Sequence, residues 1–183
     1  MQFTTTEQIK AWDSVAATKF DFGTDDILVL ERHPLASLES AIQAARVDDY
    51  RSMVNRETAA REVRFALAEL QIQSPELNAD IAGLALAFLD QFGLEEARLR
   101  VEITRTQSCP KFHCDNVHVR LITTYSGPTT EYVYAGEDAT HAAPLQGLVF
   151  LKGHKHPTHR DSVHHRSPEV PDGEKRMCVI LDY

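Results

Sequence analysis

The sequence predicts an α+β domain: helices first, then an antiparallel β-sandwich of jelly-roll kind. Three observations predict it. The hydrophobic period changes from about 3.6 to about 2 after Gly93. Short strand-like runs separated by turn residues then succeed one another, the pattern of a sandwich or jelly roll. Finally, 183 residues with 43% hydrophobic content suit one domain with a core large enough to fold without disulfide or metal. On this reading residues 1–183 are a single domain, with 1–95 a mostly helical scaffold and 96–183 the sandwich.

A short helix is expected near Thr6 to Thr18, and Ile27-Leu28-Val29-Leu30 reads as a strand or the entry to a helix. Pro34 can begin a helix at no hydrogen-bonding cost, and Leu35, Leu38, Ile42 and Ala45 recur at amphipathic spacing behind it. Asn55 can cap a helix carrying Val63, Leu67 and Leu70 on one face. The strongest helix is expected from an Asn78 cap to Gly93, with Ile81, Leu84, Ala85, Phe88, Leu89 and Phe92 inward. Leu86 and Ala87 make it apolar almost all round, as a deeply buried helix would be.

Leu99, Val101 and Ile103 then alternate with Arg98, Arg100 and Glu102, a half-buried strand. Val117 to Tyr125 is a second strand, closed by Ser126-Gly127-Pro128. Glu131 to Tyr134, Leu148 to Leu151 and Met177 to Tyr183 complete the set.

Composition excludes several function classes. A formal charge of −8 argues against a nucleic-acid partner, whose phosphates select basic surfaces. No apolar run approaches the ~18 residues of a membrane span. The first residues, Met1-Gln2-Phe3-Thr4-Thr5-Thr6-Glu7, lack a secretory pattern, and Cys109, Cys114 and Cys178 make no even disulfide framework. A cytoplasmic protein with reduced thiols is therefore expected.

The chemistry concentrates in two places. In His113-Cys114-Asp115, residues i and i+2 of an extended segment point to the same side, so His113 and Asp115 can reach one ion. A third ligand comes from Val163-His164-His165-Arg166, where alternation puts His165 on the face of Val163 and His164 on the other. Two histidines and a carboxylate on one face of an octahedron leave three positions open, as in non-haem Fe(II) oxygenases. Arg176 stands at the start of the last strand, with Lys175 as its rival. A guanidinium there offers a forked donor pair to the far carboxylate of a dicarboxylic cosubstrate. Tyr125 shares a face with Val117, Val119, Leu121 and Thr123. Its hydroxyl would reach the same dicarboxylate if that face is inward, and water if it is not.

This layout resembles Fe(II)/2-oxoglutarate-dependent oxygenases of the prolyl hydroxylase type. The resemblance implies a double-stranded β-helix (jelly roll, cupin-like), His113, Asp115 and His165 as metal ligands, and 2-oxoglutarate held by Arg176 or Lys175, with Tyr125. Phe112-His113-x-Asp115, Thr124-Tyr125-x-Gly127-Pro128-x-Thr130-Glu131 and His165-Arg166-Ser167-Pro168 resemble more closely the bacterial domain-of-unknown-function 1826 family. Members of that family are often encoded beside zinc-responsive GTPase metallochaperones. That implies such a GTPase as a functional partner, and an alternative reading as a zinc-binding protein of zinc homeostasis without redox activity.

Other histidines and cysteines remain. His154, His156, His159, His164 and His165 fall within one short stretch and can bind a second metal or stand in water as loop histidines. Cys109, His113 and Cys114 form a thiol-rich group that would need a fourth ligand to hold zinc. Regular alternation turns Cys114 away from His113.

Overall fold

The structure, a computed structural model, describes residues 26–183, so the helix expected near Thr6 to Thr18 lies outside the described residues. Nine strands form two antiparallel sheets among them, with three helices. The strands are β1 (Ile27–Leu30), β2 (Asp48–Val54), β3 (Ala97–Thr104), β4 (Val119–Ser126), β5 (Glu131–Tyr134), β6 (His141–Ala142), β7 (Leu148–Lys152), β8 (Val163–Arg166) and β9 (Arg176–Asp182). The helices are α1 (Glu39–Ala44), α2 (Ala59–Glu69) and α3 (Pro75–Phe92). The large sheet runs β1-β7-β4-β9-β3-β2 and the small one β6-β5-β8.

Strand alternation divides the interior in two. Leu99, Val101 and Ile103 of β3, Val119, Leu121 and Tyr125 of β4, and Met177, Val179 and Leu181 of β9 share one buried cluster with Ile42 of α1, Val63 and Leu67 of α2, and Leu84 and Phe88 of α3. The alternate residues Ile122, Val149, Leu151 and Cys178 join Ala143 and Val163 in a second, smaller cluster facing the other way. Both faces of the large sheet are therefore covered.

Three expectations are corrected by local detail. Ile27–Leu30 takes the strand reading, as β1, while β2 was not expected; the two form the edges of the large sheet. β2 reads Asp-Asp-Tyr-Arg-Ser-Met-Val and is mostly outside the core, since it pairs with β3 alone, so its apolar alternation is weak. α1 begins at Glu39 rather than near Pro34. α3 is capped by Ser74, whose Oγ accepts from Leu77 N at 3.2 Å, with Pro75 in the first turn. It ends, as expected, at Gly93 in the left-handed region, φ 62°. Asn55 caps the turn leading into α2, accepting from the backbone of Glu57 and Thr58 at 3.0 and 2.9 Å. No helix among the described residues is long and apolar enough to cross a membrane.

Candidate metal centre

The segment before β4 meets β8 at one point. His113 and His165 form an isolated antiparallel bridge, with His113 N donating to His165 O at 3.0 Å and His165 N to His113 O at 2.9 Å. That pairing sets the two rings 4.6 Å apart, centroid to centroid. Asp115, two residues on, turns to the same side. Its Oδ2 lies 3.1 Å from His165 Nε2 and its Oδ1 3.6 Å from His113 Nε2. One ligand atom from each residue falls within 4.8 Å of the others. Two donors bound about 2.1 Å from one ion at right angles stand roughly 3 Å apart, so this spacing suits a shared first-row metal.

The electronic state of each group also suits a cation. His113 Nδ1 is 2.8 Å from the Lys111 carbonyl, so the ring proton belongs on Nδ1 and the Nε2 lone pair faces the triad. His165 is 6% exposed. Burial lowers its pKa below the ordinary 6.5, only partly countered by Asp115, and keeps the ring neutral. Burial works to raise the pKa of Asp115, but His165, Arg120 and His113 more than offset it and hold the carboxyl below its usual range. The Oδ2 of this ionised group is buried and makes no hydrogen bond of good geometry, its one close polar neighbour being His165 Nε2 at 3.1 Å. An unpaired buried carboxylate oxygen is costly, and a divalent cation among the three ligand atoms satisfies it. Arg120 steadies the other oxygen, with one terminal nitrogen 2.5 Å from Asp115 Oδ1 and the other 2.5 Å from Asp182 Oδ2.

His113, His165 and Arg120 line one part of a cavity of about 50 Å³, which Thr130, Glu102 and Arg176 also line. Arg176 is 3% exposed. Its Nε donates to Pro128 O at 2.9 Å, and one terminal nitrogen reaches Thr124 Oγ1 and Thr130 Oγ1 at 3.3 Å each. Its other terminal nitrogen has Glu102 Oε2 3.9 Å away. Glu102 is engaged besides by Arg100 at 2.8 Å and Ser108 at 2.9 Å. Gly127 makes this floor buildable. It has φ 81°, and a Cβ there would meet the Lys175 carbonyl at 2.9 Å and Arg176 Cα at 3.0 Å. Only glycine lets the β4–β5 turn press on the start of β9 and present the Pro128 carbonyl to Arg176.

Not every expected site residue gathers here. Lys175 turns the other way, and its Nζ donates to the Gln43 and Ala45 carbonyls at 2.6 and 2.5 Å, closing the C-terminal end of α1. Tyr125 must be corrected as a cosubstrate ligand. It does share a face with Val119 and Leu121, but that face looks toward the helices. Its hydroxyl donates to Asp80 Oδ2 at 2.5 Å and accepts from Arg32 at 3.2 Å. The face turned to the cavity carries Arg120, Ile122 and Thr124 instead. His164 points outward to Asp161, 3.0 Å away, and His156 bonds to Thr158. Cys114 does not group with Cys109 and His113 but lies beside His154 and His159. Thr124, Thr130, Glu102 and Arg120 were not singled out as site residues by the sequence. For Glu102, Arg120 and Thr124 the signal was the polar side of an alternating strand, which reads as solvent-facing when only one sheet face is assumed buried; Thr130 lies in the turn before β5.

Fold and geometry together define a two-sheet protein with a His-x-Asp…His metal-type site beside an arginine-lined cavity. The chain belongs to the family described as protein of unknown function (DUF1826), matched over residues 24–182. Its fold is similar to that of JOX2, solved in complex with 2OG, Fe and JA, at 12% identity and a TM-score of 0.52 over 100% of this chain and 73% of that one. It is similar also to the Fe(II)/(alpha)ketoglutarate-dependent dioxygenase TqaL, at 11% identity and a TM-score of 0.50 over 97% and 87% of the two chains. At such identities the likeness concerns the fold. No curated protein matches the chain by sequence.

Proposed function

We propose that the chain is a non-haem Fe(II)/2-oxoglutarate-dependent oxygenase that hydroxylates an unidentified substrate, built as helices packed on a double-stranded β-helix. One observation carries this reading: His113 and His165, which converge with Asp115 in a metal-type triad, line the same cavity as the buried Arg176. His113, Asp115 and His165 would hold the metal on one side and leave its remaining positions open. Arg120, by occupying Asp115 Oδ1, directs Oδ2 to the ion. Arg176, with the Thr124 and Thr130 hydroxyls, would take the remote carboxylate of 2-oxoglutarate. Iron and cosubstrate, when bound, supply the activation of dioxygen. Ile122, Cys178 and Ile180 supply the apolar part of an otherwise polar cavity wall. The cavity of about 50 Å³ is room for one or two waters, so binding 2-oxoglutarate requires Glu102 to turn aside from Arg176.

A second reading has Glu102 in its favour. That carboxylate already stands 3.9 Å from Arg176 and can act as its permanent counter-ion. On this reading the triad holds zinc without cosubstrate, and the protein serves zinc homeostasis beside a GTPase metallochaperone. The two readings separate by linkage. A cosubstrate that chelates the metal must raise metal affinity by the factor by which metal raises its own. The oxygenase reading expects 2-oxoglutarate to tighten Fe(II) binding roughly 5-fold or more in an anaerobic titration. An Fe(II) affinity indifferent to 2-oxoglutarate would sink it and leave the zinc reading.

A further inference from the structure

Behind the triad, on the opposite side of the same stretch, a second set of donors converges. Cys114 Sγ lies 3.7 Å from His159 Nε2, and one ligand atom from each of Cys114, His154 and His159 falls within 4.8 Å of the others. In a tetrahedral site with Zn–S about 2.3 Å and Zn–N about 2.0–2.1 Å, a sulfur and a nitrogen stand roughly 3.6 Å apart. The rings of His154 and His159 are 5.0 Å apart and nearly perpendicular, at 82°.

The backbone holds this arrangement in place. Gly153 N donates to His118 O at 3.0 Å, His154 N to Asp115 O at 2.8 Å and Lys155 N to Val117 O at 3.1 Å. A Cβ on residue 153 would lie 2.2 Å from the Val117 carbonyl oxygen and 2.6 Å from that of Asp115, so the close approach that brings His154 to Cys114 requires glycine.

An independent observation comes from His159. Its side chain is 10% exposed, yet its Nδ1 is buried without a hydrogen-bond partner. The atom facing it is Asp26 Oδ1, 3.9 Å away. Asp26 is itself fixed by Ser162 N at 2.9 Å, Ser162 Oγ at 2.7 Å and Arg160 N at 3.2 Å. A metal-bound imidazole typically aims its second nitrogen at a carboxylate, and here Nε2 faces the thiol while Nδ1 faces Asp26.

We propose that Cys114, His154 and His159 form a second metal site, separate from the triad, for a divalent cation that prefers thiolate with imidazole, Zn(II) being the fitting probe. The fourth position falls to water or to Asp161, whose Oδ1 is 3.6 Å from His159 Nε2. Occupancy would clip the loop of residues 153–162 to the segment that carries His113 and Asp115. Since that loop runs directly into β8, the clip also braces the approach to His165.

Co(II) titration followed by absorption tests this on the full chain, because a thiolate ligand gives a sulfur-to-cobalt charge-transfer band that the triad, lacking sulfur, does not. The wild type should bind two equivalents and show the band. His165→Ala should keep the band with one equivalent. Cys114→Ser should lose the band and retain one equivalent, whereas Cys109→Ser should change neither. His154→Ala, at an exposed position whose loss leaves the core intact, should weaken the band-forming site at least about 10-fold. As a second readout, Zn(II) should raise the melting temperature of His165→Ala but not that of His165→Ala/Cys114→Ser. No thiolate band in the wild type, or a band that survives Cys114→Ser, would overturn the proposal. Neither result depends on 2-oxoglutarate.

Discussion

The two faces of the large sheet each bury an arginine and a carboxylate, and they complete them in opposite ways. On the helix face, Arg32 gives 2.5 Å to the Gln146 carbonyl, 2.7 Å to Asp80 Oδ1 and 3.2 Å to the Tyr125 hydroxyl. Asp80 Oδ2 accepts from Tyr125, and Gln146 in turn holds the backbone of Leu35. Every polar group of that set has its partner inside the protein. On the other face, Asp115 Oδ2 has none and Arg176 offers a terminal nitrogen to a carboxylate only at 3.9 Å. The first set ties α3 and the segment before α1 to β4. The second is left incomplete beside a cavity, where a ligand can complete it. Buried charge therefore does not mark a site by itself; an unmatched partner does.

The largest expected effect breaks the closed set. Asp80→Ala leaves Arg32 buried without its counter-ion and should cost about 3–5 kcal/mol of stability in urea denaturation. Asp115→Ala in the metal-free protein should cost no more than about 1 kcal/mol, since Arg120 keeps Asp182 and an orphaned oxygen is removed. It should nevertheless abolish metal binding at the triad. The reverse ranking would mean that the two faces have been assigned the wrong roles.

Tyr125→Phe sharpens the contrast at intermediate size. Removing the hydroxyl strips a donor from Asp80 and an acceptor from Arg32, expected to cost about 1–3 kcal/mol. Affinity for 2-oxoglutarate should not change, because the ring faces the helices. A loss of cosubstrate affinity with unchanged stability would return Tyr125 to the cavity.

Arg176 borders the cavity and Tyr125 does not, for a physical reason. Alternation fixes which residues of β4 travel together, and Val119, Leu121 and Tyr125 do. It cannot say which face holds the site when both are covered, one by helices and one by the small sheet. The convergence of His113, Asp115 and His165 was legible because His113 and Asp115 are local and because His165 alternates with a buried Val163. β2 was not, since an edge strand with one partner needs little apolar surface. The Cys114–His154–His159 set was not either, as it arises from backbone pairing between residues 115–118 and 153–155, which no spacing encodes.

A smaller effect concerns Asp26, behind the second donor set. Burial works to raise its pKa, but hydrogen bonds from Ser162 and Arg160 and the nearby His159 more than offset this and leave it below the ordinary 3.8. Such a group stabilises the fold above its unfolded pKa, and the contribution is lost as pH falls through its folded value. Asp26→Asn should therefore be less stable than wild type at neutral pH, with the gap closing as pH drops below 3.8. A gap that widens in acid would contradict the sign.

On the oxygenase reading proposed above, a metal at His113, Asp115 and His165 and a guanidinium at Arg176 hold the two ends of one dicarboxylate. Calorimetry of 2-oxoglutarate binding to the metal-loaded protein, wild type beside Arg176→Ala and Arg176→Lys, tests it most directly. The wild type should bind, Arg176→Lys should bind much more weakly because a point charge cannot replace a planar fork, and Arg176→Ala should not bind, with metal binding intact in all three. Equal affinity in wild type and Arg176→Ala, or no binding in the wild type, would contradict it.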